Sequence, residues 1–317
     1  MRAMSDGWLM QSELRQAIEE NYGISIHRCD AAPRGAIAET YIINGVYFCK
    51  LVRNPVITKY LRHSLPLLDC LTKAGVDRIN GLIKPRDGFS VTLGDTEIVL
   101  TKLLPGRQSR DYHVPSFGAL LASIHEVSVD DVTAKKSIQE DFDISFTNPL
   151  MEWIDATASC AAQVEIKAIL SRHADDMSRH LDCFQALARM CQEEPCASVI
   201  THGDVQGNVL MTDPDDLYII DWDEAVLAPR ERDLWFFADQ PEFMKGYGES
   251  YCINKKMLNF FTFKAYFVNT LLRIEALLKA QDDAETMAKI SEQLEWRISP
   301  QGWMRPKLEA ILTGTGI

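Results

Sequence analysis

The stretch Ile200-Thr-His-Gly-Asp204-Val-Gln-Gly-Asn208-Val-Leu-Met211, continued by Leu217-Tyr-Ile-Ile-Asp221-Trp-Asp223-Glu224, decides how this chain is read. Val209 to Met211 and Leu217 to Ile220 are short β-type runs. Between them Thr212-Asp-Pro-Asp-Asp216 has the Asp and Pro content of a turn. A hairpin centred between Pro214 and Asp215 pairs 209 with 220, and so sets Asn208 beside Asp221 at its open end. An amide oxygen and a carboxylate held there are hard oxygen ligands suited to Mg²⁺. Asp204 lies one short loop away, placed to accept a proton from a hydroxyl. A carboxylate for an attacking hydroxyl, an Asn and an Asp for magnesium and a strand Lys for phosphates are the parts of phosphoryl transfer. The Lys is Lys50, in the otherwise apolar run Val46-Tyr-Phe-Cys-Lys50-Leu-Val52.

Outward from this segment the chain changes character. Leu14, Ile18 and Tyr22 lie at helical spacing, with Gly23 as a stop. Ile24–Ile26, Tyr41–Ile43 and Val46–Val52 are strand-like, and Asn44-Gly45 is a two-residue hairpin signal. A helix over 57–73, with Pro66 as a kink, precedes strands near 81–84, 90–93 and 97–103, with Gly94-Asp95 as a turn. This is a small, mostly antiparallel sheet carrying one helix. After Pro105-Gly106 the chain turns largely helical. Phe117, Leu120, Leu121, Ile124 and Val127 form an apolar stripe with Ser116 as its cap. Two or three helices are expected over 150–193 and three more over 255–313. The expected architecture is α+β and two-lobed: a small β-rich lobe over 1–101, a hinge over 102–110 and a large helical lobe over 111–317. Such a chain takes its ligand in the crevice between lobes.

The 317 residues are 46% hydrophobic and 25% charged, as in an ordinary globular chain rather than a disordered one. Lys+Arg 33 against Asp+Glu 45 gives a formal net charge of −12, which argues against a nucleic-acid backbone as partner and leaves room for a cationic small molecule. No apolar run approaches the roughly 18 residues of a membrane span. Asp6 and Gly7 stand where a signal peptide needs an apolar core. The eight scattered cysteines include no CxxC pair and are expected as reduced, mostly buried thiols of a cytoplasmic protein.

His202-Gly203-Asp204 with Asn208, then Ile220-Asp221-Trp222-Asp223-Glu224 and Glu231-Arg232-Asp233-Leu234, resemble the signature of aminoglycoside phosphotransferases and related small-molecule kinases. The run Leu217–Leu234, with Gly246-Tyr-Gly-Glu249 and Asn21-Tyr-Gly-Ile-Ser-Ile-His27, is most similar to the spectinomycin phosphotransferases. The resemblance implies a protein-kinase-like fold, ATP or GTP, Mg²⁺ and transfer of the γ-phosphoryl group to a hydroxyl of a small cationic acceptor, with antibiotic resistance as the consequence. It implies Asp204 as catalytic base, Asn208 and Asp221 as metal ligands, Lys50 facing the nucleotide phosphates, and the backbone of Lys102 and Leu104 on the adenine edge. Asp233 is given a helix-capping role. Asp223 and Glu224 are candidates for a second-metal or substrate-ammonium contact. A monomer and a homodimer both fit. A metabolic kinase for choline, a sugar or an amino acid shares the chemistry, and a nucleotide-binding pseudokinase is the rival from another class.

Two departures from the family pattern stand out. Kinases place the metal Asn five positions after the catalytic Asp, whereas Asn208 lies four after Asp204, a shortening that Gly207 is expected to absorb at positive φ. Kinases also pair the strand Lys with a Glu on the following helix, and here no acid lies between Leu51 and Leu68. Another acid is then required, and Arg62 is expected on a solvated face. The turn at Arg34-Gly35-Ala36 is a weak candidate for a phosphate cover. His125 and Trp222 are expected to pack, as are the aromatics of 260–267.

Overall fold

Asn44 and Gly45 both take positive φ, +54° and +70°, and close the two-residue turn on which the first sheet is built. The computed structural model describes residues 10, 12–32, 38–155 and 157–314; the Arg34-Gly35-Ala36 turn lies outside them. In chain order the elements begin with α1 (Ser12–Tyr22), β1 (Cys29–Ala31), β2 (Glu39–Ile43), β3 (Tyr47–Val52), α2 (Pro55–Lys73), β4 (Leu82–Ile83), β5 (Val91–Leu93) and β6 (Thr96–Lys102). There follow β7 (Arg107–Gln108), α3 (Val114–His125), α4 (Asp131–Lys136), α5 (Asn148–Asp155), α6 (Ala161–Arg172) and α7 (Ala174–Glu193). The rest are β8 (Val199–Thr201), β9 (Val209–Asp213), β10 (Asp216–Ile219), β11 (Val226–Ala228), α8 (Glu231–Leu234), α9 (Pro241–Tyr247), α10 (Lys255–Lys279), α11 (Ala284–Ile298) and α12 (Arg305–Leu312).

These fall into two units. The first takes the described residues up to Glu140, with Ala197–Asp233 and Gln240–Tyr251; the second takes Asp141–Cys196, Leu234–Asp239 and the described residues from Cys252 onward. In the first unit an antiparallel sheet runs in the order β1-β2-β3-β6-β4, with β5 also on β6. Because side chains alternate along a strand, Cys49 and Leu51 of β3 with Ile98 and Leu100 of β6 bury one face against Leu14 and Ile18 of α1. Lys50 and Glu97 point from the other face, where Arg62 of α2 meets Glu97. The sheet thus carries two helices rather than the one expected. Ile24–Ile26 is not a strand. Glu19 accepts from the Ile26 N–H and Arg15 donates to its carbonyl, which ties that segment to α1 instead of a sheet edge.

Asn54 caps α2 through the N–H groups of Val56 and Ile57, with Pro55 at its start. Pro66 sits inside that helix without ending it. Ser116 is not the cap of α3: His113 occupies that position, and the Ser116 hydroxyl donates to Asp215 within the unit. α3 and α9 cross in close contact through two glycines. A Cβ on Gly246 would overlap the Pro115 carbonyl, and one on Gly118 would overlap that of Phe243.

The second unit is helical, and its core is aromatic. Phe184 of α7 packs on Phe260, Phe263 and Phe267 of α10, all fully buried. Of the eight cysteines, Cys29, Cys49 and Cys191 are buried, while Cys196 and Cys252 are exposed, so the thiols are less buried than expected. Among the described residues no helix is long and apolar enough to cross a membrane.

Candidate functional site

β9 and β10 form the expected hairpin, with Pro214 and Asp215 in the turn, but the register departs from the expected one. Asp213 faces Asp216, and a bulge at Thr212 then slips the ladder, so that Val209 faces Ile219 rather than Ile220. The Thr212 hydroxyl is bound to the Asp216 carboxylate at the slip. Ile220 N–H donates to the Asn208 carbonyl at 2.9 Å, which leaves Asp221 one position past the ladder. β7 adds a third strand alongside β9, and the Gln108 amide donates to the Gly207 carbonyl, tying the chain after Pro105-Gly106 to the segment 204–208. Gly106, at φ +103°, lets that strand approach the Met211 backbone.

The short loop closes without help from a left-handed Gly207. Val205–Gly207 form one 3₁₀ turn, and positive φ falls on Gly203 (+94°) and Asp221 (+68°) instead. A non-glycine residue in the left-handed region is uncommon and marks a position held by its surroundings. The turn still brings Asn208 to Asp204: its Nδ2 donates to the Asp204 carbonyl at 2.8 Å and to Oδ2 at 3.3 Å. His202, buried, fixes the loop from below. Its Nε2 donates to the Ile220 carbonyl at 2.8 Å, and its Nδ1 accepts from the Asp204 N–H at 3.2 Å, an arrangement that the neutral Nε2–H tautomer satisfies. Trp222 packs its ring edge on His202 at 4.8 Å and donates to the Ile219 carbonyl, as a packing residue should.

Asp233 is a correction. It lies inside α8 and caps the loop that carries Asp204 rather than a helix: Oδ2 accepts from His202 N–H at 2.8 Å and Oδ1 from Gly203 N–H at 2.7 Å. His125, also buried, approaches Oδ2 at 3.1 Å and the Tyr247 hydroxyl at 2.7 Å. Burial opposes the Asp233 charge, but these donors outweigh it and hold the pKa down at about 2. Arg232 lies beneath Gly203 and binds Thr201 and the Glu224 carbonyl, so any side chain at 203 would strike its guanidinium.

Lys50 comes to the same place from β3. Its Nζ lies 2.6 Å from Asp221 Oδ1 and 2.7 Å from Asp223 Oδ2. Burial opposes the Lys50 charge, and Asp223 and then Asp221 more than compensate, so its pKa is raised. Burial pushes the Asp223 carboxyl up against the pull of Lys50. Asp204 is solvent-accessible but has protein on most sides; loss of hydration raises its pKa, opposed by His202 and reinforced by Asp221. Burial likewise raises Glu224, with Arg232 opposing and Asp204 adding to the effect.

Lys102 and Leu104 follow at the end of β6. The Lys102 N–H is taken by the Gly81 carbonyl at 2.9 Å. The Leu104 N–H makes no hydrogen bond among the described residues. Arg62 keeps a solvated face, with its side chain 52% accessible, and from there pairs with the buried Glu97 at 2.6 Å. All of these residues belong to the first unit. A hollow of about 390 Å³ in that unit, lined by His125, Glu126, Ser128, Ser198 and Leu227, includes none of Asp204, Asn208 and Asp221.

A magnesium ion fits the donor set. Asn208 spends its Nδ2 on Asp204 and keeps Oδ1, and Asp221 spends Oδ1 on Lys50 and keeps Oδ2. Among the described residues no group of three His, Cys, Asp or Glu is arranged for a metal. One or two oxygen ligands completed by phosphate and water is the form Mg²⁺ takes beside nucleotides.

The sequence model of the phosphotransferase enzyme family matches residues 31–266, which is most of the chain. No curated protein gives a significant sequence match. Among solved structures, spectinomycin phosphotransferase APH(9)-Ia in complex with ADP and spectinomycin has a similar fold over 97% of this chain and 99% of that one, with a TM-score of 0.73 at 21% identity. Its AMP-bound complex gives 0.70 at 20% identity over 96% and 98%. The gentamicin complex of APH(2")-IIa gives 0.57 at 13% identity over 93% and 98%. The chain therefore belongs to the phosphotransferase enzyme family, as an enzyme that moves a phosphoryl group to an alcohol on a protein-kinase-like α+β fold.

Proposed function

We propose that the protein transfers the γ-phosphoryl group of ATP, or GTP, to a hydroxyl of a small cationic acceptor, an aminocyclitol such as spectinomycin. The observation that carries this reading is the convergence of Asp204, Asn208, Asp221 and Lys50, from three separate parts of the sequence, with Asn208 touching Asp204 and Lys50 on Asp221. The region 1–101 would hold the nucleotide and 102–110 the adenine edge, through the Lys102 carbonyl and the Leu104 N–H. The region 111–317 would carry the catalytic loop and the acceptor site.

The residues divide the work. Asp204 holds the acceptor hydroxyl and takes its proton as the oxygen attacks phosphorus; the raised pKa suits a base that must bind that proton. Lys50 sets its ammonium against the phosphate charge. Asn208 Oδ1 and Asp221 Oδ2 would hold Mg²⁺, which when bound neutralises phosphate oxygens. The Glu224 carboxylate, whose own pKa is raised by burial with Asp204 adding to the effect, is offered as the contact for an acceptor ammonium. A net charge of −12 draws cationic acceptors by long-range attraction. The reaction is placed in the cytoplasm, where a resistance enzyme meets ATP.

A screen for acceptor-dependent ADP release tests the reading. Spectinomycin comes first, then other aminocyclitols and aminoglycosides, then choline, sugars and amino acids. Turnover with an aminocyclitol, and spectinomycin resistance in cells expressing the chain, is the expected result. Turnover confined to a neutral sugar or an amino acid would replace the acceptor. ADP release with none of them, despite nucleotide binding, would favour the pseudokinase.

A further inference from the structure

We propose that Asp223 is the residue that positions Lys50 for phosphate, in the place a carboxylate on α2 would fill. The inference rests on the reading above, in which Lys50 faces the nucleotide. A lysine is a compact charge on a flexible four-carbon stem, so a phosphate-binding lysine needs an anchoring charge to hold it in one place. α2 supplies none. Asp69, its one acid, is bound to Lys73 and Lys84 at 2.8 and 3.4 Å, and the half-exposed Arg62 engages Glu97. The carboxylates on Lys50 are Asp221 and Asp223.

These two are not equivalent. Asp221 is the proposed cation ligand, so its charge is shared once a cation is bound, and the undivided partner of Lys50 is then Asp223. Asp223 is also the less exposed, with its side chain 28% accessible against 47% for Asp221. Its place is built by the backbone. The left-handed turn at Asp221 ends the strand direction, and the 3₁₀ turn Trp222–Glu224 folds back so that residues 221 and 223 reach one ammonium. Trp222 pins that turn through the Ile219 carbonyl and the His202 ring, and α2 packs against it.

A double-mutant cycle between Lys50→Ala and Asp223→Asn, read as kcat with nucleotide affinity and melting temperature alongside, tests this. Asp223→Asn alone is expected to lower kcat about 100-fold while the protein still melts cooperatively, and Asp223→Glu to recover part of the loss. On the Lys50→Ala background, Asp223→Asn should change kcat by less than about twofold, because its effect runs through Lys50. The same loss on both backgrounds would overturn the proposal and give Asp223 an independent role at a second metal or the substrate. If Asp223→Asn does not fold, the Asp223→Glu and Asp223→Ser arms of the same cycle carry the decision. A wild-type protein that binds no nucleotide, or a Lys50→Ala variant with unchanged kcat, would instead remove the underlying reading, and the proposal with it.

Discussion

The carboxylate of Asp233 accepts the backbone N–H of His202 at 2.8 Å, and its second oxygen takes the next N–H along. One side chain, fully buried, therefore sets the start of the loop that ends in Asp204 and Asn208. Asp233→Asn keeps one acceptor oxygen and removes a charge that His125 faces. It should cost about 2–4 kcal/mol of stability in chemical denaturation and lower kcat at least about tenfold. Because the Asp233 pKa is depressed to about 2, its contribution is present above the ordinary carboxylate range and is lost as pH falls from about 4 to 2. A stability curve for Asp233→Asn that keeps the wild-type acid limb would contradict this.

His180 gives the opposite kind of titration. It is fully buried on α7 against the rings of Phe263 and Tyr266, and among the described residues neither ring nitrogen has a hydrogen-bond partner. Burial, reinforced by Arg305 and opposed by Asp176 and Glu309, lowers its pKa to about 4. Below pH 6.5 the unfolded chain binds a proton here that the folded chain refuses until about pH 4, so stability falls across that window on acidification. Linkage puts the loss at about 2–3 kcal/mol. In His180→Phe, which matches the aromatic surroundings, the melting temperature should depend less steeply on pH between 6.5 and 4. An unchanged slope would show that other groups set the acid limb.

Gly246 and Gly248 offer a matched pair. A Cβ on Gly246 meets the Pro115 backbone, which cannot swing aside, whereas one on Gly248 meets nothing within 4 Å and is disfavoured only by φ +135°. Gly246→Ala should cost about 2–3 kcal/mol through the α3–α9 crossing, and Gly248→Ala about 1 kcal/mol. Equal losses in urea denaturation would mean that the crossing does not depend on the glycine.

Where sequence reasoning succeeded, the signal was local. Asn44-Gly45 marks its own turn, Gly23 its own helix end, and the Pro214-Asp215 pair its own hairpin. The misses needed the third dimension. The register slip follows from a bulge at Thr212, whose hydroxyl binds Asp216, and alternation of residue types carries no sign of it. Asp233 escaped because its partners are backbone N–H groups, which no residue pattern announces. Serine favours the cap position, which suggests Ser116, but a helix with Pro115 in its first turn is capped at His113. Counting charges on α2 did reveal that Lys50 lacked its usual partner. Which acids meet Lys50 depends on the left-handed turn at Asp221, and the spacing of residues along the chain does not announce that turn.

In the proposed function Asp204 is the base of the phosphoryl transfer. Asp204→Asn keeps the size and the contact to Asn208 while removing the proton acceptor. With the acceptor identified by the screen, its kcat should fall about 10³-fold, with nucleotide affinity within about threefold of wild type. Acceptor-dependent ADP release at the wild-type rate in Asp204→Asn would contradict the account.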